Sequence, residues 1–341
     1  MVLLRAVMVG CGAMSHGWLR AAATIEGLAI VGLVDLDATK AKALAVEFEL
    51  GDVTIGSDLD AVLNATRPDL LFDVVIPAAR RDVVATGFAH GCHVLSEKPM
   101  AETMAQAREL LELARTSKRL HAVVQNRRYV PGIRRLRRFL DSAAIGRLTA
   151  IHCDFFIAPH FGGFREQMQH VLLLDMAIHT FDAARYLAAA APKAVYCLET
   201  NPVNSWYAHG ASAQALFEFE GNVVVTYRGS WCAEGLRTSW EGAWRLIGET
   251  GSVTWDGAET FAAERFRAPG ELLSVVETLE IPEPSPDDAA DGHRGVLRDF
   301  IAAVRTGGEP ETVSHDNIHS LAMVFAAIES AETRRRVEIS V

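Results

Sequence analysis

The chain has 341 residues, 50% of them hydrophobic and 22% charged, with a formal net charge of -10. That length corresponds to about two domains at roughly 100–200 residues each, enough to bury a core without disulfide or metal staples. The negative balance repels a polyanion such as nucleic acid, and without an apolar run of about 18 residues no helical membrane span is expected.

The opening MVLLRAVMVG runs straight into a glycine turn and reads as a first strand, not a secretion signal. Apolar runs rich in Val, Ile and Leu follow at 3–9, 28–34, 70–76, 93–95 and 121–124, separated by mixed-polarity stretches at 14–24, 37–48, 58–65, 80–90 and 102–116. Short continuous apolar runs spaced by helical lengths indicate strands buried on both faces of a parallel sheet. Right-handed crossovers between them give a doubly wound α/β domain, expected over residues 1–125.

The style changes after Pro131. A basic helix at 131–141 precedes a strand near 148–157, and 170–189 has helical periodicity. From 193 to 281 the chain reads as several strands, with Gly221-Asn222 as a hairpin bend, and PEPSPDDAADG at 282–292 as a surface loop. Two Ala-rich helices (293–307 and 315–332) and a strand at 336–340 close the chain. The expected second domain is therefore α+β over 126–341, with a large, mainly antiparallel sheet and a C-terminal segment able to pack back on the first domain. Five of the six tryptophans, Trp206, Trp231, Trp240, Trp244 and Trp255, fall in its strand-rich part. Sheet packing or a subunit interface explains them more simply than sugar stacking. A wide sheet with one apolar face calls for a homodimer or homotetramer. The scattered cysteines Cys11, Cys92, Cys153, Cys197 and Cys232 form no CxxC pair, which fits reduced thiols in the cytoplasm and no metal site.

Gly10-Cys11-Gly12-Ala13-Met14-Ser15 follows the first strand and opens the first helix. Gly10 allows a tight turn, Gly12 lets the backbone approach a pyrophosphate, and helix N-terminal amides carry the phosphate charge. Ser15 replaces the third glycine of the usual fingerprint, and a lone GxG is also compatible with a purely structural bend. Asp35, 23 residues beyond Gly12 at the end of the second strand, is placed to accept the adenosine ribose hydroxyls. Its charge, with Asp37 nearby, disfavours a 2'-phosphate, so NAD is expected over NADP. The plainer role for Asp35 is capping its own loop.

The segment GCHVLSEKPMAET (91–103) places Glu97-Lys98-Pro99 just after a buried strand, at the carboxyl edge where open α/β sheets bind ligands. Asp175 and His179 are four residues apart on an expected helix, hence on one face. With VGCGAM at 9–14, QNRRYVPG at 125–132, LLLDMAIHTFDAARYL at 172–187 and WRLIGETGSVTWDG at 244–257, the chain resembles the Gfo/Idh/MocA oxidoreductases over nearly its whole length.

The resemblance implies a dehydrogenase that moves a hydride between a nicotinamide cofactor and a secondary alcohol of a small-molecule sugar, inositol or related polyol. It implies that Lys98 contacts the reacting hydroxyl beside the nicotinamide and that Asp175 and His179 face the substrate. Physically, an ammonium stabilises a developing alkoxide, and an imidazole takes and returns a proton near neutral pH. Asp175 would hold a hydroxyl or orient that imidazole. Cofactor contacts are expected from the turn residues Gly10, Gly12, Ala13, Met14 and Asp35. Others are expected from Pro77, Glu97 and Lys98. Asn126, Arg128, His160 and Arg165 are candidate substrate contacts. Two departures stand out: Arg81 occupies the family's usual His position, and Leu172-Leu173-Leu174 replaces a glycine pair. The arginines at 127, 128, 134, 135, 137 and 138 read as a solvated helix face. An NAD-dependent glycosidase of the same fold and a non-catalytic dinucleotide sensor are the alternatives.

Overall fold

In the computed structural model, which describes residues 3–289 and 292–341, the N-terminal apolar runs form short parallel strands. They are β1 (Leu4–Val9), β2 (Leu28–Val34), β3 (Thr54–Gly56), β4 (Leu70–Asp73), β5 (His93–Ser96) and β6 (His121–Val123). They line up as β3-β2-β1-β4-β5-β6, the doubly wound order that reverses between β1 and β4. Helices α1 (Ala13–Ala22), α2 (Ala38–Glu47), α3 (Leu59–Thr66), α4 (Pro77–Ala89) and α5 (Met104–Ser117) connect them. Ala6, Val7, Met8, Leu70, Leu71, Phe72, Val94 and Leu95 are fully buried, as a sheet covered on both faces requires.

Two details differ from the sequence reading. The run expected at 70–76 ends as a strand at Asp73, because Asp73 Oδ1 accepts the Val75 amide at 3.2 Å and turns the backbone away. Strand β3 was not expected at all: it has three half-buried residues and lies at the sheet edge.

The second part comprises α6 (Pro131–Asp141), β7 (Leu148–Phe156), a π-helical turn (Leu172–Ala177) running into α7 (Ile178–Ala188), then β8 (Pro192–Thr200), β9 (Ser212–Phe219) and β10 (Val224–Ser230). There follow β11 (Ala243–Gly248), β12 (Gly251–Trp255), β13 (Phe261–Ala268), β14 (Val275–Thr278), α8 (Gly292–Thr306), α9 (Ser314–Thr333) and β15 (Val337–Glu338). The nine strands run β14-β13-β12-β11-β7-β10-β9-β8-β15, antiparallel except for the β10–β7 pair. Gly221 and Asn222 reverse the chain between β9 and β10 with φ of 69° and 60°. Trp231, Trp244 and Trp255 are core residues. Gly132 is required where α6 meets Trp255, since a Cβ there would lie 2.1 Å from the indole.

Packing divides the described residues into two compact units, one falling within the bounds Met1–Asn126 and Ala290–Ile318, the other within Arg127–Ala289 and His319–Val341. Ala290 and Asp291 of the expected 282–292 loop, and Met1 and Val2 of the expected first strand segment, lie outside the described residues. The described part of that loop is pinned: buried Asp288 accepts both Nη atoms of Arg138 at 2.9 and 2.7 Å.

The arginines of α6 correct the reading of a solvated face, since none is fully exposed. Arg134 lies over the rings of Tyr129 and Tyr186, Arg135 donates to the Pro282 carbonyl at 2.7 Å, and Arg137 donates to the Leu187 carbonyl at 2.7 Å. Their heads thus meet ring faces and backbone carbonyls.

Candidate active site

In the first unit the glycine turn is built around two different needs. Gly10 has φ +91°, and a Cβ on it would meet the Val74 carbonyl at 2.6 Å, so the fold itself demands glycine there. Gly12 has ordinary φ of -83°, and a Cβ on it would meet nothing within 4 Å. That open space lies at the N-cap of α1, a helix with no side-chain cap and no acidic residue in its first turn. Its first amides are therefore available to an anion. Gly12, Ala13 and Met14 are exposed beside them. The residues fit a dinucleotide pyrophosphate: glycine where a side chain would fill the cradle, and unopposed N–H groups lining it.

Asp35 closes the turn from the neighbouring strand. Its Oδ2 accepts the Cys11 amide at 2.8 Å and its Oδ1 the Asp37 amide at 2.9 Å. The capping role is thus real, and each carboxylate oxygen keeps a second lone-pair direction for a ribose hydroxyl. Leu36 and Ile76, at the carboxyl ends of β2 and β4, are 96% and 69% exposed, and such apolar groups at a sheet edge suit an adenine face. Pro77 begins α4 at its first helical position.

The Glu97-Lys98-Pro99 segment is held from below. Buried Glu97 accepts the Trp18 indole N–H at 2.8 Å and the Lys98 amide at 3.0 Å, and its other contact is His293 Nε2 at 3.2 Å. Although burial works against the charge, the His293 and Trp18 hydrogen bonds and the nearby Lys98 hold the Glu97 carboxyl below its usual range. Asn126, expected to reach substrate, lies 3.4 Å from His293 Nδ1. The Lys98–Pro99 peptide is cis. Arg80 anchors the far side, donating to Asp73 and Val75 and to the Pro99 carbonyl. Behind it Ser96 meets His121, whose imidazole burial pushes down to about 3, so it is neutral. Arg81 is exposed and pairs with Asp82 and Glu109.

In the second unit Asp175 lies inside the π-helical turn and His179 on the first turn of α7. Single π turns recur at functional sites, because one extra residue per turn re-aims the side chains. Leu172 and Leu173, in place of the glycine pair, are fully buried and anchor that turn. Arg165 donates Nε to Asp175 Oδ2 at 2.7 Å, bringing two of the expected residues together. His179, 8% exposed, lines a small recess with Arg127, Met176, Trp240, Glu241 and Trp244. His160 stacks on Trp206 with ring centroids 3.7 Å apart and pairs with Glu234 at 3.5 Å.

Arg128 is buried and donates to both oxygens of Asp182 at 2.7 and 2.8 Å, with Ser320 also donating to Asp182 at 2.6 Å. This places the Arg128 head in a buried brace between its own turn and α7. Sequence reasoning missed His293, Asp73, Arg80 and Asp182. The only available signals were charged residues inside otherwise apolar segments, such as Asp73 ending LLFD and Asp182 within α7.

Among the described residues no helix is long and apolar enough to cross a membrane, and no group of three or more His, Cys, Asp or Glu is placed to hold a metal ion. All five cysteines are buried and unlinked.

A model of the oxidoreductase family with an NAD-binding Rossmann fold matches residues 4–125, and a model of the GFO/IDH/MocA C-terminal domain matches residues 133–254. The chain is 27% identical to D-apiose dehydrogenase of Paraburkholderia graminis, over 98% of this chain and 89% of that one. It is 26% identical to inositol 2-dehydrogenase of Streptomyces avermitilis, over 99% of this chain and 94% of that one. A crystal structure of an oxidoreductase from Agrobacterium radiobacter, in complex with NAD+, L-tartaric acid and magnesium, superposes with a TM-score of 0.87 at 19% identity. That superposition covers 99% of each chain.

Proposed function

From the premise that the chain belongs to the Gfo/Idh/MocA oxidoreductases, we propose that it moves a hydride between NAD and a secondary alcohol of a sugar, inositol or related polyol. The observation that carries this reading is Lys98. It is a lysine at the carboxyl edge of a parallel sheet, on a segment braced by Glu97 and Arg80, in the same unit as a glycine turn with room for a pyrophosphate. The relatives named for apiose and inositol oxidation support the substrate class.

Bound NAD supplies the hydride acceptor. The Lys98 ammonium donates to the reacting oxygen and stabilises charge developing there. Glu97 fixes the Lys98 backbone through its amide. His179 takes the hydroxyl proton, and Asp175 orients a neighbouring hydroxyl or the imidazole. Asp35, with exposed Asp37 beside it, favours NAD over NADP by opposing a 2'-phosphate. Asn126, Arg128, His160 and Arg165 remain candidate substrate contacts, with the Arg128 head held by Asp182. The assembly we propose is a cytoplasmic homodimer or homotetramer. Exposed Tyr196 and Leu216 are cross-strand partners on the nine-stranded sheet and favour such a contact.

Assaying a panel of sugars and inositols for NADH formation tests the reading. Net NADH accumulates with a dehydrogenase, whereas a hydrolase regenerates its cofactor and a sensor turns over nothing. Lys98→Ala and His179→Ala should each lower kcat by about 100-fold or more while NADH binding persists. Unchanged turnover in Lys98→Ala would refute the mechanism.

A further inference from the structure

Trp18, Glu97, Asn126 and His293 come from four separate stretches of chain and meet in one hydrogen-bonded series inside the first unit. Trp18 lies on α1, Glu97 just after β5, Asn126 just after β6 and His293 on the first turn of α8. Asn126 and His293 both fall outside the segments that match the family, 4–125 and 133–254. The Trp18 indole also meets the His293 ring edge-on, with centroids 6.4 Å apart.

The direction of each bond in the series follows from what its partners can do. A carboxylate only accepts, so Glu97 Oε1, 3.2 Å from His293 Nε2, puts the ring proton on Nε2. With that proton placed, Nδ1 is the acceptor of the singly protonated ring. The Asn126 amide 3.4 Å away then presents its nitrogen, Nδ2, as the donor. Glu97 is itself held, because Oε1 also accepts the Trp18 indole N–H at 2.8 Å and Oε2 the Lys98 amide at 3.0 Å.

One atom is left over. Asn126 Oδ1 is shielded from water and accepts no hydrogen bond among the described residues. A buried acceptor without a donor is costly and rare, so its position marks where a bound group supplies one. Strand β6 lies beside β5, whose end leads into Lys98, on the far side of the β1–β4 reversal from Asp35. In a doubly wound domain the two halves hold the two nucleotides of a dinucleotide across that reversal. The N–H donor of a nicotinamide ring is its carboxamide.

We propose that His293 is a positioning residue that fixes the Asn126 amide, leaving its carbonyl oxygen to accept the carboxamide N–H of the nicotinamide. This rests on the NAD-dependent reading above and assigns Asn126 to the cofactor side of the site.

The experiment compares binding of NADH with that of its reduced 3-acetylpyridine analogue, in which a methyl ketone replaces the carboxamide. The analogue keeps the carbonyl and has no N–H. Dissociation constants are measured by calorimetry, without substrate, for the wild type, Asn126→Ala, His293→Leu and His293→Gln. Gln can still donate to Glu97 and accept from Asn126, whereas Leu can do neither. The wild type should bind NADH about tenfold more tightly than the analogue. Asn126→Ala and His293→Leu should bring that ratio close to one, chiefly by weakening NADH, and His293→Gln should keep most of it. General damage to the cleft would weaken both dinucleotides alike and leave the ratio standing, so a ratio unchanged in Asn126→Ala or His293→Leu overturns the proposal. A wild-type ratio near one also overturns it, leaving Asn126 Oδ1 to a buried water and the cofactor reading intact. If the wild type binds neither dinucleotide, the cofactor reading fails and the proposal falls with it.

Discussion

Arg80 and Asp73 form an ion pair out of reach of water, Nε to Oδ2 at 2.7 Å, with side chains 1% and 0% exposed. The same guanidinium donates to the carbonyls of Val75 and Pro99, so one side chain ties the end of β4 to the loop that carries Lys98. Removing one partner of a buried pair leaves the other charge uncompensated, at about 3–5 kcal/mol. Arg80→Met should therefore lower the unfolding free energy by about that amount in urea titrations. The double variant Asp73→Leu with Arg80→Met should recover much of it, yet remain poor in turnover because the Pro99 carbonyl has lost its anchor. A loss below about 1 kcal/mol in the single variant would show that the pair is not what holds this edge.

The two glycines of the first turn should behave differently. Gly10→Ala forces a Cβ against the Val74 carbonyl in a left-handed backbone, so its cost should exceed about 1–2 kcal/mol and appear in the protein without cofactor. Gly12→Ala enters open space with ordinary φ and should alter stability by no more than about 1 kcal/mol. Its effect should appear as weaker NADH binding, by about tenfold or more, since the methyl would occupy the pyrophosphate's space. Calorimetric unfolding with and without NADH separates the two.

How far these features could be read in advance depended on the range of the interaction. Val-, Ile- and Leu-rich runs place β1, β2 and β5 within a residue or so, because burial on both faces leaves an uninterrupted apolar signature. Thr54–Gly56 has no such run and went unseen. The Asp175–His179 spacing was legible because it is local, whereas the π turn that carries Asp175 was not, since it follows from how Leu172 and Leu173 pack. His293 reaches Glu97 across 196 positions, and Asp182 reaches Arg128 across 54. No periodicity encodes such pairs. The α6 arginines were misread for the same reason: their partners Pro282, Asp288 and Leu187 are distant in the chain.

Cofactor choice should turn on Asp35. Because its two oxygens already hold the Cys11 and Asp37 amides, replacing it with Ala would disturb the turn as well as the charge. Asp35→Asn keeps one carbonyl acceptor and removes the charge. It should raise KM for NAD by about tenfold, one hydrogen bond to a charged group being worth about 1.5–3 kcal/mol, and narrow the preference over NADP. Equal preference ratios in the two proteins would remove Asp35 from the proposed role.

The helix that carries Asp175 has a pH-dependent fastening. His170, with left-handed φ of 51°, lies just before the π turn, and its carbonyl accepts the Leu174 amide at 2.9 Å. Its Nδ1 lies 2.6 Å from Glu199 and its Nε2 3.3 Å from Glu332. The Glu199 hydrogen bond, aided by the charges of Glu199 and Glu332, outweighs burial and raises the imidazole above its ordinary 6.5. A histidine raised on folding stabilises the folded state fully below pH 6.5, and that contribution is lost as pH rises through the raised value. His93 and His121 are lowered by burial and act in the opposite direction, so the wild-type profile alone does not isolate His170. The difference between wild type and His170→Gln does. The wild-type advantage in thermal midpoint should be largest below pH 6.5 and shrink by on the order of 2 °C as pH rises past the raised value. A constant gap across that window would mean that the two glutamates do not charge His170 in the folded protein.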